Sequence, residues 1–153
     1  MKIINLCLCA CLAAGAAAGV EDRPVAVRAA QADAFEDAIA RSVEKARETL
    51  DDASARYFAV LRGKARFFCT VRLADDRGRV EQVFVEIDKW DSKISGRINN
   101  EIHRLQGYAK GQAVAFDHAD VLDWTILHND GREEGNFIGK FLRARAAVRP
   151  AAK

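Results

Sequence analysis

Ala65-Arg66-Phe67-Phe68-Cys69-Thr70-Val71-Arg72-Leu73, then Asp75-Asp76-Arg77-Gly78, then Val83-Phe84-Val85-Glu86-Ile87, is the stretch on which the fold turns. In the first run Ala65, Phe67, Cys69, Val71 and Leu73 alternate with Arg66, Phe68, Thr70 and Arg72, the period of two that puts one apolar face on a strand. In the last run Val83, Val85 and Ile87 alternate with Gln82, Phe84 and Glu86 in the same way. The Asp-Asp-Arg-Gly segment between them has hairpin-turn composition. So short a connection excludes a parallel crossover, so the two strands pair antiparallel.

Further short strands lie downstream. Lys93 to Asn99 carries Ile94, Gly96 and Ile98 in step, Ala113 to Phe116 forms a fourth strand, and Val121 to Leu127 a fifth, closed by the turn signal Asn129-Asp130-Gly131. Phe137 to Ala147 suits either a strand or a short helix. Upstream the period is helical: Phe35, Ile39, Val43, Ala46 and Leu50 fall three and four apart on one face. At Asp51-Asp52 an N-cap signal allows a second short helix through Tyr57, Phe58 and Leu61, ended by Gly63, so residues 31 to 62 form one helix or two. The class is α+β: an N-terminal amphipathic helix, or two, packed on a curled antiparallel sheet of about five strands, with a partial barrel as one closure of such a sheet.

The two ends are unlike this middle. Met1-Lys2, the apolar run Ile3 to Leu12 and the small residues Ala14 to Gly19 resemble a secretory leader with Ala-x-Ala cleavage sites, and the expected cut comes after Ala18. A retained anchor is the weaker reading, because the second half of the apolar run is Ala and Gly. Leu8-Cys9-Ala10-Cys11 faintly resembles a lipobox, which makes a lipoprotein acylated at Cys11 a minor alternative. Cleavage removes Cys7, Cys9 and Cys11 and leaves Cys69 as the one thiol, so no internal disulfide is expected. The expected organisation is a leader at 1–18, a lead-in at 19–30, one domain at 31–145 and a basic tail at 146–153, with export to the periplasm or beyond and no stable membrane insertion.

The formal charge of +2 falls to +1 without Lys2, which argues against a nucleic-acid partner. From Lys140 onward every ionised side chain is basic: Lys140, Arg143, Arg145, Arg149 and Lys153. The bland reading is a solvated tail, the sharper one contact with an anionic envelope surface.

The chemistry-bearing residues are few. Cys69 shares strand parity with Phe67 and Val71, so it should face the core as a small apolar residue rather than act as a nucleophile. Asp117, His118, Asp120 and Asp123 form the densest polar cluster and could ligate a divalent cation. Against that, Asp117 can cap a single helical turn and Asp120 suits its start, with His118 facing solvent. His103 and His128 are isolated. Trp124, among Val121, Leu122 and Ile126, is expected in the core; Trp90, between Lys89 and Asp91 at a strand end, would mark a binding surface if exposed. No Gly-rich phosphate loop, nucleophile elbow or zinc-type His pair is present. No cofactor and no metal are expected.

Val83 to Ile87, Gly96-Arg97-Ile98-Asn99-Asn100, and Asp123-Trp124 with the later Asp130-Gly131 and Gly135 together resemble the bacterial domain of unknown function 2314 (DUF2314), the YegJ-like family, over Phe67 to about Leu142. Glu134-Gly135-Asn136-Phe137 stands where that family often has a Gly-Gly-Tyr-Thr-like stretch. The resemblance implies a small α+β domain and no particular reaction. The functional expectation is a non-enzymatic binding domain of the cell envelope that meets a macromolecule or small ligand at a sheet rim, with Trp90, Asp123, Trp124, Gly131, Gly135 and Phe137 as site residues. The alternatives are a small enzyme built on Cys69 or the Asp117-His118-Asp120-Asp123 cluster, and an inhibitor or immunity-type partner of a secreted protein.

Overall fold

The computed structural model describes residues 29–148, and side chains from 34 to 147; the leader, the Cys11 alternative, most of the lead-in and the end of the tail lie outside the described residues. In chain order come helix α1 (Ala29–Arg56), a π-helical turn (Tyr57–Leu61), strands β1 (Ala65–Ala74), β2 (Val80–Trp90), β3 (Ile94–Ile98) and β4 (Ala113–Phe116), a 3-10 turn (His118–Asp120), β5 (Val121–His128), β6 (Glu133–Gly135) and helix α2 (Phe137–Val148). The α+β class holds. The strands form one antiparallel sheet in the order β4-β3-β2-β1-β5-β6.

Two details differ from expectation. A sixth strand, β6, pairs with β5 through Thr125↔Gly135, Ile126↔Glu134 and Leu127↔Glu133. The sheet is also open, with β4 and β6 as its two edges, rather than a partial barrel. Beyond Gly135 the chain turns into α2 beside the first half of β5, so a helix rather than a strand comes after β6.

The alternation read from β1 and β2 is realised in their register. Cys69↔Val85 and Val71↔Val83 are directly opposed. With Phe67, Ile87, Ile94, Phe116, Trp124 and Ile126 they form the core against Ala46, Leu50, Ala53 and Tyr57. Each fully buried Val, Ile or Phe there contributes about 1.5–3 kcal/mol, so this face supplies most of the stability. The spacing Ala46, Leu50, Ala53, Tyr57 also settles the helix question. It carries one apolar stripe straight through Asp51 and Asp52, which are exposed within a continuous helix and cap nothing. The helix widens into the π turn only after Arg56 and ends at Leu61, with an extended Arg62 as its C-cap and Gly63, at φ +84°, in the turn beyond.

A second, smaller cluster docks α2 onto α1: Ile39, Leu122 and Ile138, with Phe35, Val43, Phe141 and Leu142 around them. Residues 29 and 30 of the expected lead-in belong to α1, and α2 runs to Val148, past the expected domain limit at 145. No described helix is long and apolar enough to cross a membrane.

Two carboxylates pin the loop between β3 and β4 over the β1–β2 hairpin. Glu81 lies on the inner parity of β2, buried, and accepts from the backbone N–H groups of His103, Arg104 and Leu105. Asp75 accepts from the N–H of Gln106 at 3.0 Å and from Arg79 Nε at 2.8 Å. The Arg79 hydrogen bond, then that of the Gln106 amide, hold its carboxyl far below the usual range. On the outer face Phe68 is only 7% exposed although its parity points outward, because the Arg66 guanidinium lies over its ring at 4.7 Å and pairs with Glu86.

Candidate functional site

The register brings the π turn, the start of β1, the ends of β2, β4 and β5 and the β5–β6 turn to one end of the sheet, through Ala65↔His128, Trp90↔Ile94 and Ile94↔Phe116. Trp90 reaches the inner side there because of a β-bulge. The pairing of β2 with β3 shifts register between Ile87 and Lys89, which flips the parity of the strand from Lys89 on. Trp90 therefore joins the buried side, half-covered, with its ring 5.5 Å from Phe67 and 6.5 Å from Phe58.

The outer part of this end is an aromatic strip. The exposed His118 ring sits 5.0 Å from Trp90, Phe58 also neighbours Trp90, and the Arg62 guanidinium lies 5.5 Å over Phe58. Val60, on the same π turn, is 59% exposed, the highest value among the large hydrophobic residues described. A π turn offsets the side chains beyond an α-helix, and such turns recur at functional sites. Here it turns Tyr57, Phe58 and Leu61 toward the core and leaves Val60 outward.

The other predicted site residues fall elsewhere. Phe137 packs edge-on against Trp124 at 5.8 Å, and Trp124 lies 6.4 Å from Phe67. Two rings thus separate Phe137 from Trp90, and the two do not share a surface. Gly131 forms the β5–β6 turn at the Trp90 end, with φ +84°. Asp123, Trp124 and Gly135 join with Asn136 in holding α2. Asp123 is 1% exposed; its carboxylate accepts from the N–H groups of Trp124 at 2.8 Å and Ile138 at 2.7 Å. Asn136, in the left-handed region at φ 50°, caps α2 through the Gly139 N–H at 3.0 Å. Trp124 Nε1 donates to the Ala46 carbonyl and to Thr49 Oγ1, both at 3.1 Å.

The candidate catalytic groups are engaged in architecture. Cys69 is fully buried, and desolvation, reinforced by the charge of Asp123, pushes its thiol far up, so it carries no thiolate at neutral pH. Asp120 accepts from the Asp117 N–H at 2.9 Å, Asp117 pairs with Lys93 at 2.7 Å, and Asp123 is directed at α2. The four members of the polar cluster do not converge, and no group of three His, Cys, Asp or Glu among the described residues is placed to hold a metal ion.

One polar group escapes a reading by sequence alone. His128 Nε2 meets Glu134 Oε1 at 2.5 Å, and the other Glu134 oxygen pairs with Arg56 at 2.6 Å, tying the end of α1 to the β5–β6 hairpin. Arg56, first, and then His128 hold the Glu134 carboxyl down to about 2. The signal that could have exposed it is a His and a Glu with five residues between them across a turn, which place each other only once the register is known.

The family described as "Uncharacterized protein conserved in bacteria (DUF2314)" matches residues 34–149, from the first third of α1 to just past α2. No curated protein and no solved structure matches the chain.

Proposed function

Because the chain belongs to the bacterial DUF2314 family, whose signature residues here serve the fold, we propose that it is a non-enzymatic binding domain of the cell envelope, exported by its leader. Its contact surface is the aromatic strip at the sheet end: Phe58, Val60, Trp90 and His118, bordered by Arg62. The observation that carries this is the π turn, which leaves Val60 59% exposed and sets the half-buried Phe58 against Trp90; among the described large hydrophobic residues only Val60 and Val80 are exposed. Aromatic and Arg side chains grouped around an apolar centre make favourable anchors for a partner. The enzyme reading has less support, since Cys69 is sealed in the core and each carboxylate of the proposed cluster already has a structural role.

A photo-crosslinking residue placed at Val60 in the producing cell tests the surface, with the same residue at Arg77, on the hairpin turn at the other end of β1, as control. A discrete adduct at 60 and none at 77 is the expected result; adducts at neither position reject the surface. Mass spectrometry of the adduct separates one tight partner, as an inhibitor or immunity-type protein would have, from several. The mass of the purified protein tests the leader: a chain beginning at Gly19 is expected, and an intact Met1 terminus would reject export by cleavage.

A further inference from the structure

We propose that the free edge of β4 pairs with β4 of a second copy of this chain, antiparallel about a two-fold axis at Val114, so that two sheets join into one. The ladder between β3 and β4 fixes which groups are free. The Ile98 N–H donates to the Gln112 carbonyl at 3.0 Å and the Gly111 N–H to the Ile98 carbonyl at 2.7 Å, so Gly111, at φ +83°, and Gln112 together oppose Ile98 as a bulge. Counting on in steps of two, Val114 and Phe116 are the residues hydrogen-bonded to their partners Gly96 and Ile94. Ala113 and Ala115 therefore direct their N–H and C=O groups away from β3, where no further strand follows. Both residues are exposed, and no side chain among the described residues takes these groups up.

These free groups are self-complementary. In a copy turned about Val114, Ala113 of each chain faces Ala115 of the other, and each such pair exchanges both of its hydrogen bonds. The two Val114 side chains then meet at the closer, non-hydrogen-bonded spacing; each is half-buried against the core, which the pair extends. On the opposite face only the methyl groups of Ala113 and Ala115 meet. Charge agrees with the antiparallel sense. Lys110 precedes the strand and Asp117 follows it, so the reversal brings each Lys110 beside Asp117 of the other copy. Their partners within the chain are Glu101 at 3.4 Å and Lys93 at 2.7 Å, with all four side chains more than half exposed, and ion pairs of that kind hold weakly. The other edge of the sheet shows the contrast. β6 carries Glu133 and Glu134, held by Arg143 and Arg56, whereas Ala113-Val114-Ala115-Phe116 has no charge and no proline to turn a strand away. Neither the aromatic strip nor export is needed for this inference.

A strand of four residues makes a small interface, so the dimer belongs to the weak, transient class. Sedimentation equilibrium of the protein as isolated from its cell, at up to about 1 mM, should show a mean mass that rises from one chain toward two. Ala115→Pro deletes an outward N–H and leaves the ladder to β3 whole, so it should hold the mass at one chain throughout. If that variant melts early, Ala113→Lys with Ala115→Lys keeps the backbone and sets like charges against each other in both pairs, which should weaken association about fivefold or more. Val114→Cys reads the register: air oxidation should link two chains through it, whereas Val80→Cys, exposed at the start of β2, should not link. A single-chain mass at every concentration, unchanged association in the β4 variants, or equal linking at 114 and 80 would each overturn the proposal. So would a Val114→Cys adduct with a different chain in place of the dimer, which would assign the edge to another protein.

Discussion

Replacing Gly135 by Ala should loosen the joint between the sheet and α2 and lower stability by more than an ordinary glycine substitution. Gly135 has φ +73°, and a Cβ built on it lies 2.2 Å from the Trp124 carbonyl oxygen and 2.6 Å from Cε3 of the indole. A left-handed backbone costs an L-residue about 1–2 kcal/mol. Relieving the two contacts means moving either the β5–β6 pairing or a ring held by two hydrogen bonds at Nε1, and overpacking of this kind costs about 1–3 kcal/mol. Together these remove about 2–5 kcal/mol from a stability of about 5–15 kcal/mol. For a domain of this size that is a fall in Tm of about 10–20 °C. Gly131→Ala is the comparator: its φ is +84° but no atom lies within 4 Å of the new Cβ, so only the backbone cost remains. Calorimetric melts of the two variants beside the unaltered protein read the difference. If they fall by the same amount, the indole does not constrain Gly135, and the pairing of Trp124 with this glycine is not what holds α2 to the sheet.

Cys69 should react with an alkylating reagent only at the rate of global or local opening, and fast in denaturant; rapid labelling of the native protein would contradict its burial and raised pKa. Glu81→Gln should lower stability by about 1–3 kcal/mol and open the 99–112 loop to proteolysis; an unchanged urea midpoint would show that the three N–H groups find other acceptors. Glu134 is depressed from 4.5 to about 2 in the fold, so its contribution is complete above about pH 4.5 and is lost as pH falls toward 2. With a side chain a quarter exposed, that contribution is about 1 kcal/mol after solvent screening. Glu134→Gln should flatten the stability curve across that window, and parallel curves would refute the link.

The part of the fold legible in the sequence is the part where burial is one-sided. β1 and β2 stand out because one face meets a helix and the other meets water, which imposes period two on the residues. β6 cannot be found in this way: Glu133-Glu134-Gly135 has no strand propensity, and it is a strand only because the turn at Gly131 returns it onto Thr125, Ile126 and Leu127. Asp51-Asp52 reads as a restart because both are good cap residues, yet the apolar stripe continues through Ala53 and Tyr57. Packing of that stripe outweighs a cap of about 1 kcal/mol. Trp90 stands out in the sequence, but its half-buried position depends on a bulge that no local pattern in Asp88-Lys89 betrays. The contacts among His128, Glu134 and Arg56 depend on the ends of three elements meeting, which only the register decides.

What the fold consumes also limits where function can lie. Cys69, Asp120, Asp123 and Trp124, whose chemistry first attracts notice, and the buried carboxylates Asp75 and Glu81 each satisfy a backbone N–H, fill core volume or hold a helix in place. A group so engaged cannot turn to a ligand without leaving a buried donor unsatisfied, a loss of about 1–3 kcal/mol each time. Val60 and His118 are different, since neither is called on to complete the core or a cap. Salt screens charge pairs and leaves apolar contact in place, so adducts at Val60 should persist across a salt series, and their loss at about 0.5 M salt would refute an apolar contact there.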